Sequence, residues 1–263
     1  MNLIHILPVT QAINVKQPYE MYLLQELQKV AQGENGGAIL DAIKAKNSYK
    51  ILDNGCYELG ASGQIEDVFM MAERIGAYEI ILPDVMGDMH ATIDATTDAL
   101  DYIYKTGRSH AYNYMAVCQG SDWDEYMACA KMFAGFDTVS VIGIPKKFMR
   151  EAVCLGDGRT QVVGSVRTAA LMRTEFAKAL SEEPEFRHGC TKIHMLGISW
   201  SLLELQKVKD VIRSCDTNLI VENLKRDVPP ISSWATFGEK YTLEKELNEL
   251  QLYYLQKIIE EGI

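Results

Sequence analysis

The chain has 263 residues, of which 48% are hydrophobic and 24% charged, a balance typical of a folded protein and incompatible with wholesale disorder. Its formal net charge of −10 argues against indiscriminate binding to nucleic acid or anionic membranes, although a local basic groove is compatible with it. The sequence shows neither a signal-peptide pattern nor an apolar run long enough for a membrane helix, so we expect a cytoplasmic protein.

Short strand-like apolar runs alternate with longer helical runs along the chain. Strands are predicted at 3–7, 50–52, 79–82, 112–118, 138–142, 192–196 and 211–215, with an eighth at 219–222. Helices are predicted at 19–31, 64–75, 91–106, 122–134, 164–180 and 200–209. This alternation predicts an α/β fold, a (β/α)8 TIM-type barrel forming one domain over 1–263, with an open doubly wound sheet as the alternative.

The last part of the chain predicts a terminal helix at about 242–260. Its apolar residues fall at helical spacing and form one stripe: Leu243, Leu247, Leu250, Tyr254 and Ile258. We expect this stripe to pack on the barrel, while a subunit interface, and with it a homodimer, stays open. The segments 153–160 and 227–238 are predicted to be loops.

Short polar residues or glycines follow six of the predicted strands. They are Asp53, Asp84, Gln119, Gly143, Gly197 and Asp216. Because the carboxyl ends of parallel strands carry the site in such folds, these residues are expected to face one mouth. A single aspartate at such a position often caps a helix or a turn, but several aspartates at one rim indicate chemistry.

Paired carboxylates without a metal-binding motif suit glycosyl transfer, in which one attacks an anomeric carbon and the other handles the leaving-group proton. The chain has no P-loop, dinucleotide-binding, zincin or nucleophile-elbow motif. Cys215 could be a nucleophile, but no evident histidine base accompanies it. His188, Cys190 and His194 form the only cluster of ligand-like residues, which falls short of the four ligands of a structural zinc site.

These residues resemble the tRNA-guanine transglycosylase superfamily, in the same order along the chain over about 50–220. The similar segments are Asp53-Asn54-Gly55-Cys56-Tyr57, Leu82-Pro83-Asp84-Val85, Gln119-Gly120, Phe136-Asp137 with Ile142-Gly143, His194-Met195-Leu196-Gly197-Ile198 and Ser214-Cys215-Asp216-Thr217. The cysteine-rich zinc site that follows the nucleophile in the tRNA enzymes has no counterpart, since no cysteine follows Cys215 and no histidine follows His194. The chain is therefore most similar to the short, zinc-free paralogues of phages and bacteria that place 7-deazaguanine bases in DNA.

The resemblance implies a mechanism and a set of roles. Asp216 would attack C1′ and form a covalent glycosyl-enzyme, and Asp53 would be the general acid and base. The target base would be flipped out or single-stranded, and the incoming base would be a 7-deazaguanine such as preQ0, with no cofactor. The residues implied to bind the base are Asp84 and Gln119 with the Gly143 N–H at its edges, Tyr57 and Leu196 at its faces, and Gly197 beside them.

A nucleic-acid partner requires positive charge near the mouth. The segment 144–174 carries six basic side chains against two acidic ones, and the candidates for DNA binding are Lys146, Lys147, Arg150, Arg159, Arg167 and Arg173. An ordinary solvated helix face explains the same charges equally well. Lys225 and Arg226 are a second candidate patch.

Three other functions stay open. A tRNA transglycosylase would use the same barrel core, with tRNA as the partner in place of DNA. A barrel hydrolase would cleave the N-glycosidic bond without exchanging the base. A catalytically silent nucleic-acid-binding subunit would need a partner protein, although such a subunit could have lost Asp53, Asp84 or Asp216 without harm to folding.

Overall fold

A computed structural model describes residues 1–56, 62–146, 148, 152–154, 160–162, 166–187, 191–198, 203–225 and 246–261, with the backbone alone described at 152–154, 160–162, 166–168 and 203. Its centre is an eight-stranded sheet in which every neighbouring pair is parallel. The strands are β1 (Asn2–His5), β2 (Tyr19–Leu23), β3 (Tyr49–Asp53), β4 (Glu79–Ile81), β5 (Asn113–Val117), β6 (Val139–Ile144), β9 (Lys192–Met195) and β10 (Ser214–Thr217). An antiparallel pair, β7 (Ala152–Cys154) and β8 (Thr160–Val162), follows β6.

Helices follow the strands along the chain, as a (β/α)8 barrel requires. They are α1 (Val9–Ala12), α2 (Leu24–Ala31), α3 (Gly36–Ala45), α4 (Ile65–Ile75), α5 (Met89–Lys105), α6 (Trp123–Ala134), α7 (Val166–Glu182), α8 (Pro184–Arg187), α9 (Leu203–Gln206), α10 (Leu219–Lys225) and α11 (Glu249–Glu261). Side chains set where several of them begin: Asp88 accepts a hydrogen bond from Ala91 N at α5, and Asp122 accepts one from Glu125 N at α6.

Strand alternation divides the apolar side chains into two cores. A small core inside the barrel contains Ile4, Met21, Ile51, Ile81 and Met115, together with Ile6, Val117 and Val141. A much larger core lies between the outer face of the strands and the helices. Because successive side chains of a strand point to opposite faces, the residues two positions away from these interior residues also point into the barrel. This rule places Asp53 on the interior face, two residues after Ile51. Parallel register places Asp216 there as well, because it pairs with the interior residue Ile4, and Ser214 and its partner His194 follow by the same alternation.

The barrel is nearly closed, and a glutamine side chain supplies part of the seam between its first two strands. β1 and β2 pack against each other at the two ends of the sheet order. Gln17, just before β2, accepts a hydrogen bond from His5 N at 3.2 Å and donates one to His5 O at 3.0 Å. The amide thereby satisfies the backbone of β1 as a neighbouring strand would.

The fold confirms the predicted (β/α)8 barrel but corrects one of its strands. The predicted strand at 219–222 is wrong, because Leu219–Lys225 is the helix α10, which begins where Thr217 Oγ1 accepts a hydrogen bond from Leu219 N. The missing strand is β2, which lies within the predicted helix 19–31. Only Leu24–Ala31 of that range is helical. Short apolar runs fit a buried strand and a packed helix equally, so pattern alone did not separate them.

Two further elements differ from the sequence expectations. The helix α3 was not predicted, and the predicted loop at 153–160 overlaps the hairpin strands β7 and β8. The terminal helix is confirmed as α11, which is shorter than predicted and packs against α10 with Leu255 and Ile258 buried. The predicted apolar stripe is wrong in part, because Leu250 and Tyr254 are exposed and Leu255 is buried in their place, while Leu243 lies outside the described residues. Residues 227–238 lie outside the described part of the chain. Among the described residues, no helix has the length and apolarity that crossing a membrane would require.

Candidate active site

A cavity of about 290 Å³ opens at the carboxyl ends of the barrel strands, close to the lower end of the range for small-molecule pockets. All eight strands contribute to it, either at their last residues or in the loop that follows. Its polar lining residues include Asp53, Asn54, Asp84, Gln119, Lys146 and Asp216, and its apolar ones include Ile6, Leu23, Ile81, Val117 and Leu196. The three aspartates that sequence reasoning selected therefore face one cavity.

Asp216 lies in β10 and is held by one of its two carboxylate oxygens. Its Oδ1 accepts hydrogen bonds from Gly197 N at 2.9 Å and from His194 Nε2 at 3.0 Å. Only 4% of the residue is exposed. Among the described residues none donates to Oδ2, so this oxygen is the one that could meet a substrate atom. One oxygen is thus fixed while the other is left for chemistry.

A chain of buried polar groups runs behind Asp216 through the barrel interior. His194 Nδ1 lies 2.8 Å from Ser214 Oγ, which accepts a hydrogen bond from Arg213 Nε at 3.0 Å. The Arg213 guanidinium donates two bonds to Glu79, at 2.6 Å and 2.9 Å. Glu79 begins β4 and Arg213 immediately precedes β10, so both lie at the amino ends of the strands. The chain therefore connects the amino ends of the strands to the cavity.

Asp84, in the loop after β4, accepts hydrogen bonds from two side-chain amides. Asn54 Nδ2 donates to its Oδ1 at 2.8 Å, and Gln119 Nε2 donates to its Oδ2 at 2.7 Å. Burial raises the pKa of the Asp84 carboxyl above its ordinary value of 3.8, and these hydrogen bonds only partly oppose that rise. Gln119 Oε1 in turn accepts from Gly87 N at 3.1 Å, which fixes which end of the amide faces Asp84.

Asp53 ends β3 and is less buried than the other two cavity aspartates. Its Oδ1 accepts a hydrogen bond from Gly55 N at 2.7 Å, and Gly55 has a positive φ of 79°. Asp53 therefore stabilises an Asp-Asn-Gly turn, the structural role that such an aspartate often has. The same residue nevertheless lines the cavity, so the turn presents its carboxylate to the site.

The residues proposed to contact a base fall into three groups. Leu196 and Gly197 line the cavity, and Tyr57 lies outside the described residues. Gly143 is wrong as a direct contact, since it is not among the described lining residues. A Cβ built on it would lie 3.1 Å from Met115 Sδ and 3.2 Å from Leu196 Cδ1. It sits inside β6, which extends to Ile144, and Leu196 covers it.

The structure supports only part of the expected basic surface. Lys146 lines the cavity, and its aliphatic chain packs over Gly197, where a Cβ added to the glycine would lie 3.1 Å from Lys146 Cδ. Arg173 is wrong as a surface residue, because it is fully buried and donates to Gly197 O. Lys225 is likewise buried and pairs with Glu222 at 3.0 Å. Lys147, Arg150, Arg159 and Arg226 lie outside the described residues, as does the side chain of Arg167.

Burial opposes ionisation of the cysteines near the site. Burial and the charge of Asp84 raise the pKa of Cys56 to about 12, and burial raises that of Cys215 well above its ordinary value. Cys215 is fully buried and is not among the described residues that line the cavity, which speaks against it as a nucleophile. Among the described residues, no cluster of three histidine, cysteine or acidic side chains is arranged to hold a metal ion.

Sequence reasoning missed the supporting roles of Asn54, His194 and Ser214. His194 was singled out only as part of a resembling segment and of a metal cluster, and Ser214 only as the start of the segment containing Asp216. The signal that could have found them is the two-residue period of a strand, which puts His194 on the face of Leu196 and Ser214 on the face of Asp216.

No family model and no curated protein matches this chain.

Proposed function

We propose that this chain is a base-exchange glycosyltransferase that replaces guanine in DNA with a 7-deazaguanine base. The observation that carries the proposal is the convergence of Asp53, Asp84 and Asp216 on one cavity with different environments. Asp216 has one oxygen fixed by two donors, Asp84 is held by two amides, and Asp53 is the most exposed of the three. Distinct environments suit three roles: nucleophile, base recognition and proton transfer.

In the first half-reaction, Asp216 Oδ2 attacks C1′ of the target nucleotide from the face opposite guanine. The C1′–N9 bond breaks, its electron pair goes to the base, and the Asp53 carboxyl gives the departing guanine its proton. The product is a glycosyl ester of Asp216 together with free guanine. The hydrogen bonds to Oδ1 from Gly197 N and His194 fix the direction in which Oδ2 points.

In the second half-reaction, the incoming base occupies the place that guanine left. The Asp53 carboxylate removes the proton from its N9, N9 attacks C1′, and the ester bond to Asp216 breaks. Asp216 returns as a carboxylate and Asp53 returns protonated, so no oxidant, reductant or cofactor is consumed. Two inversions at C1′ retain the original anomeric configuration.

The edge of the base would be recognised by Asp84 and Gln119. The Asp84 carboxylate would accept bonds from N1–H and the 2-amino group, a pairing that guanine and its 7-deaza analogues share and adenine lacks. The second Nε2 hydrogen of Gln119, for which the described residues supply no acceptor, would donate to O6. Leu196 and Val117 offer apolar surfaces for the faces of the ring.

The choice of DNA rests on the resemblance to the short, zinc-free paralogues. The target nucleotide would be flipped out of the duplex or already single-stranded, because a cavity of this size does not admit a stacked base pair. Lys146 lines the same cavity as the three aspartates, and its ammonium group would face the phosphate next to the flipped nucleotide.

A guanine-exchange assay tests the proposal without assuming the identity of the incoming base. Single-stranded DNA, duplex DNA and tRNA are each incubated with radiolabelled guanine, and label in the polymer is counted. Parallel reactions supply preQ0 or preQ1, followed by digestion and mass analysis of the nucleosides. We expect incorporation into DNA, loss of it in Asp216→Asn and Asp53→Asn, and retention in Asp101→Asn, an exposed aspartate of α5.

The other outcomes have distinct meanings. Incorporation into tRNA alone would replace DNA by RNA in the proposal. Loss of guanine from the polymer without incorporation would indicate a hydrolase. A folded protein that neither releases nor exchanges guanine with any of the three polymers would overturn the proposed function.

A further inference from the structure

A histidine inside the barrel is placed to orient the nucleophile of the proposed reaction. His194 is fully buried, and both of its ring nitrogens have polar neighbours, Asp216 Oδ1 at 3.0 Å and Ser214 Oγ at 2.8 Å. A buried imidazole in contact with a carboxylate raises the question of which nitrogen carries the proton, because that decides whether the ring is neutral or charged.

The Asp216 end fixes one proton. A carboxylate oxygen can only accept hydrogen bonds, so the Nε2 atom that lies 3.0 Å from Oδ1 must carry a hydrogen. Gly197 N donates to the same oxygen at 2.9 Å. The two donors together hold Oδ1 in one position, and with it the plane of the carboxylate.

The contacts of Ser214 indicate whether the other ring nitrogen, His194 Nδ1, carries a hydrogen. Arg213 Nε has a hydrogen and no lone pair to offer, so Ser214 Oγ is the acceptor of the bond between them. Among the described residues, the other polar neighbour of this oxygen is His194 Nδ1, and a hydroxyl hydrogen directed to it satisfies both groups. Arg213 cannot reverse this direction, because its guanidinium stays protonated and is anchored by two bonds to the fully buried Glu79 carboxylate.

We propose that Glu79, Arg213, Ser214 and His194 form a directional hydrogen-bond relay that locks His194 as the neutral Nε2–H tautomer and so orients Asp216 for attack. His194 is a positioning residue in this scheme, since it touches Asp216 and not the substrate. This tautomer is the one in which Asp216, Ser214 and Arg213 each find a partner of the matching donor or acceptor kind among the described residues. Its effect on catalysis rests on the proposed function, in which Oδ1 is held so that Oδ2 faces C1′.

Substitutions at residue 194 separate positioning from packing. In His194→Gln the side-chain amide can reach Oδ1 and replace the Nε2–H donor, whereas the shorter amide of His194→Asn stays near Ser214. We expect kcat to fall roughly 10- to 100-fold in His194→Asn, because a misplaced reacting group costs about that much. His194→Gln should recover a large part of this loss, with the KM for DNA unchanged in both variants. Ser214→Ala should lower kcat in the same direction.

Nitrogen-15 NMR of the histidine side chains reads the tautomer directly and needs no enzymatic activity. Protein labelled at histidine is recorded at neutral pH, and the His194 signals are identified by their loss in His194→Gln. We expect a protonated Nε2 and an unprotonated Nδ1 in the wild-type protein, and loss of this pattern in Ser214→Ala. His90→Gln, at an exposed residue of α5, is the matched control for both measurements.

The two measurements fail independently. An imidazolium with both nitrogens protonated, or a proton on Nδ1 alone, would overturn the relay whether or not the protein exchanges bases. The expected tautomer combined with equal kcat losses in His194→Gln and His194→Asn would overturn the positioning role. The expected tautomer in a protein without exchange activity would leave the relay standing and remove the proposed function.

Discussion

Removing Arg213 should destabilise the barrel strongly, because the buried Glu79 carboxylate would lose its positively charged partner. The Glu79 side chain has no exposed surface, and both of its oxygens accept from Arg213, at 2.6 Å and 2.9 Å. After Arg213→Met the only remaining side-chain donor among the described residues is Tyr49, whose hydroxyl lies 2.8 Å from Glu79 Oε2. Breaking a buried ion pair from one side costs about 3–5 kcal/mol, a large part of the roughly 5–15 kcal/mol that stabilises a typical domain.

A double variant shows whether the destabilisation of Arg213→Met comes from the unpaired negative charge of Glu79. Glu79→Gln removes the charge while its amide oxygen can still accept from Tyr49, so Glu79→Gln/Arg213→Met should be more stable than Arg213→Met alone. Glu79→Gln in the wild-type background should destabilise the protein, by about 1–3 kcal/mol for the weakened hydrogen bonding. The same substitution is therefore expected to change sign between the two backgrounds, which is non-additivity between residues in contact.

The assay is urea denaturation at neutral pH, followed by circular dichroism, for the four proteins of this cycle. Arg74→Met is the matched control, because Arg74 pairs with Asp41, whose side chain is 68% exposed, and its loss should leave the midpoint unchanged. Equal destabilisation of Arg213→Met and of the wild type by Glu79→Gln, or unfolding of Arg213→Met at the wild-type midpoint, would contradict this prediction.

Three further predictions concern the cavity. Gly143→Ala should push Leu196 toward the cavity, since the new Cβ would lie 3.2 Å from Leu196 Cδ1. We expect the unfolding free energy to fall by about 1–3 kcal/mol and the KM for the incoming base to rise. An unchanged KM would contradict this prediction. Burial raises the pKa of Asp84 above 3.8, so the native state binds this proton more tightly than the unfolded state does. As the pH rises from 3.8, the unfolding free energy of the wild type should therefore fall relative to that of Asp84→Asn. Urea titrations at several pH values measure it, and a wild-type stability that stays constant or grows relative to Asp84→Asn would refute the prediction. Because its pKa is about 12, Cys56 should react slowly with iodoacetamide at pH 7.5 in the native protein, and rapid labelling found by peptide mass analysis would show that the thiol is ionised.

The barrel and the rim aspartates could be predicted because both follow from local regularities. Short apolar runs between helical patterns identified seven of the eight barrel strands, and a polar residue after such a run falls at the carboxyl edge whatever its exact register. Asp53, Asp84, Gln119 and Asp216 all met this condition, and all four line the cavity.

The second strand was missed because its stability comes from distant partners. Glu20, in β2, is buried and charged, which counts against a buried strand when it is read alone. In the fold it accepts hydrogen bonds from Lys46 and Ser48, residues of the segment between α3 and β3. β2 also passes into α2 without a loop, so the helical pattern of 24–31 extended the predicted helix backwards.

The errors at Gly143 and Arg173 have different causes. A strand end was placed one or two residues early, so a glycine of the barrel interior was assigned to the rim, and the cavity is lined there by Pro145 and Lys146. Arg173 was counted with the surface charges because its partner, the carbonyl of Gly197, lies 24 residues away in sequence. Backbone acceptors are invisible in a side-chain pattern, so a buried arginine looks like an exposed one.

The central claim is that Asp216 forms a covalent bond to the sugar, and intact-mass analysis of the enzyme tests it most directly. The protein is incubated with a guanine-containing single-stranded oligonucleotide without added base, quenched under denaturing conditions and weighed, and the adduct is located by peptide sequencing. We expect a mass increase equal to the oligonucleotide minus guanine, carried on Asp216, absent in Asp216→Asn, and reversed by adding guanine before the quench. Release of guanine with no adduct on the protein, or an adduct on another residue, would contradict it.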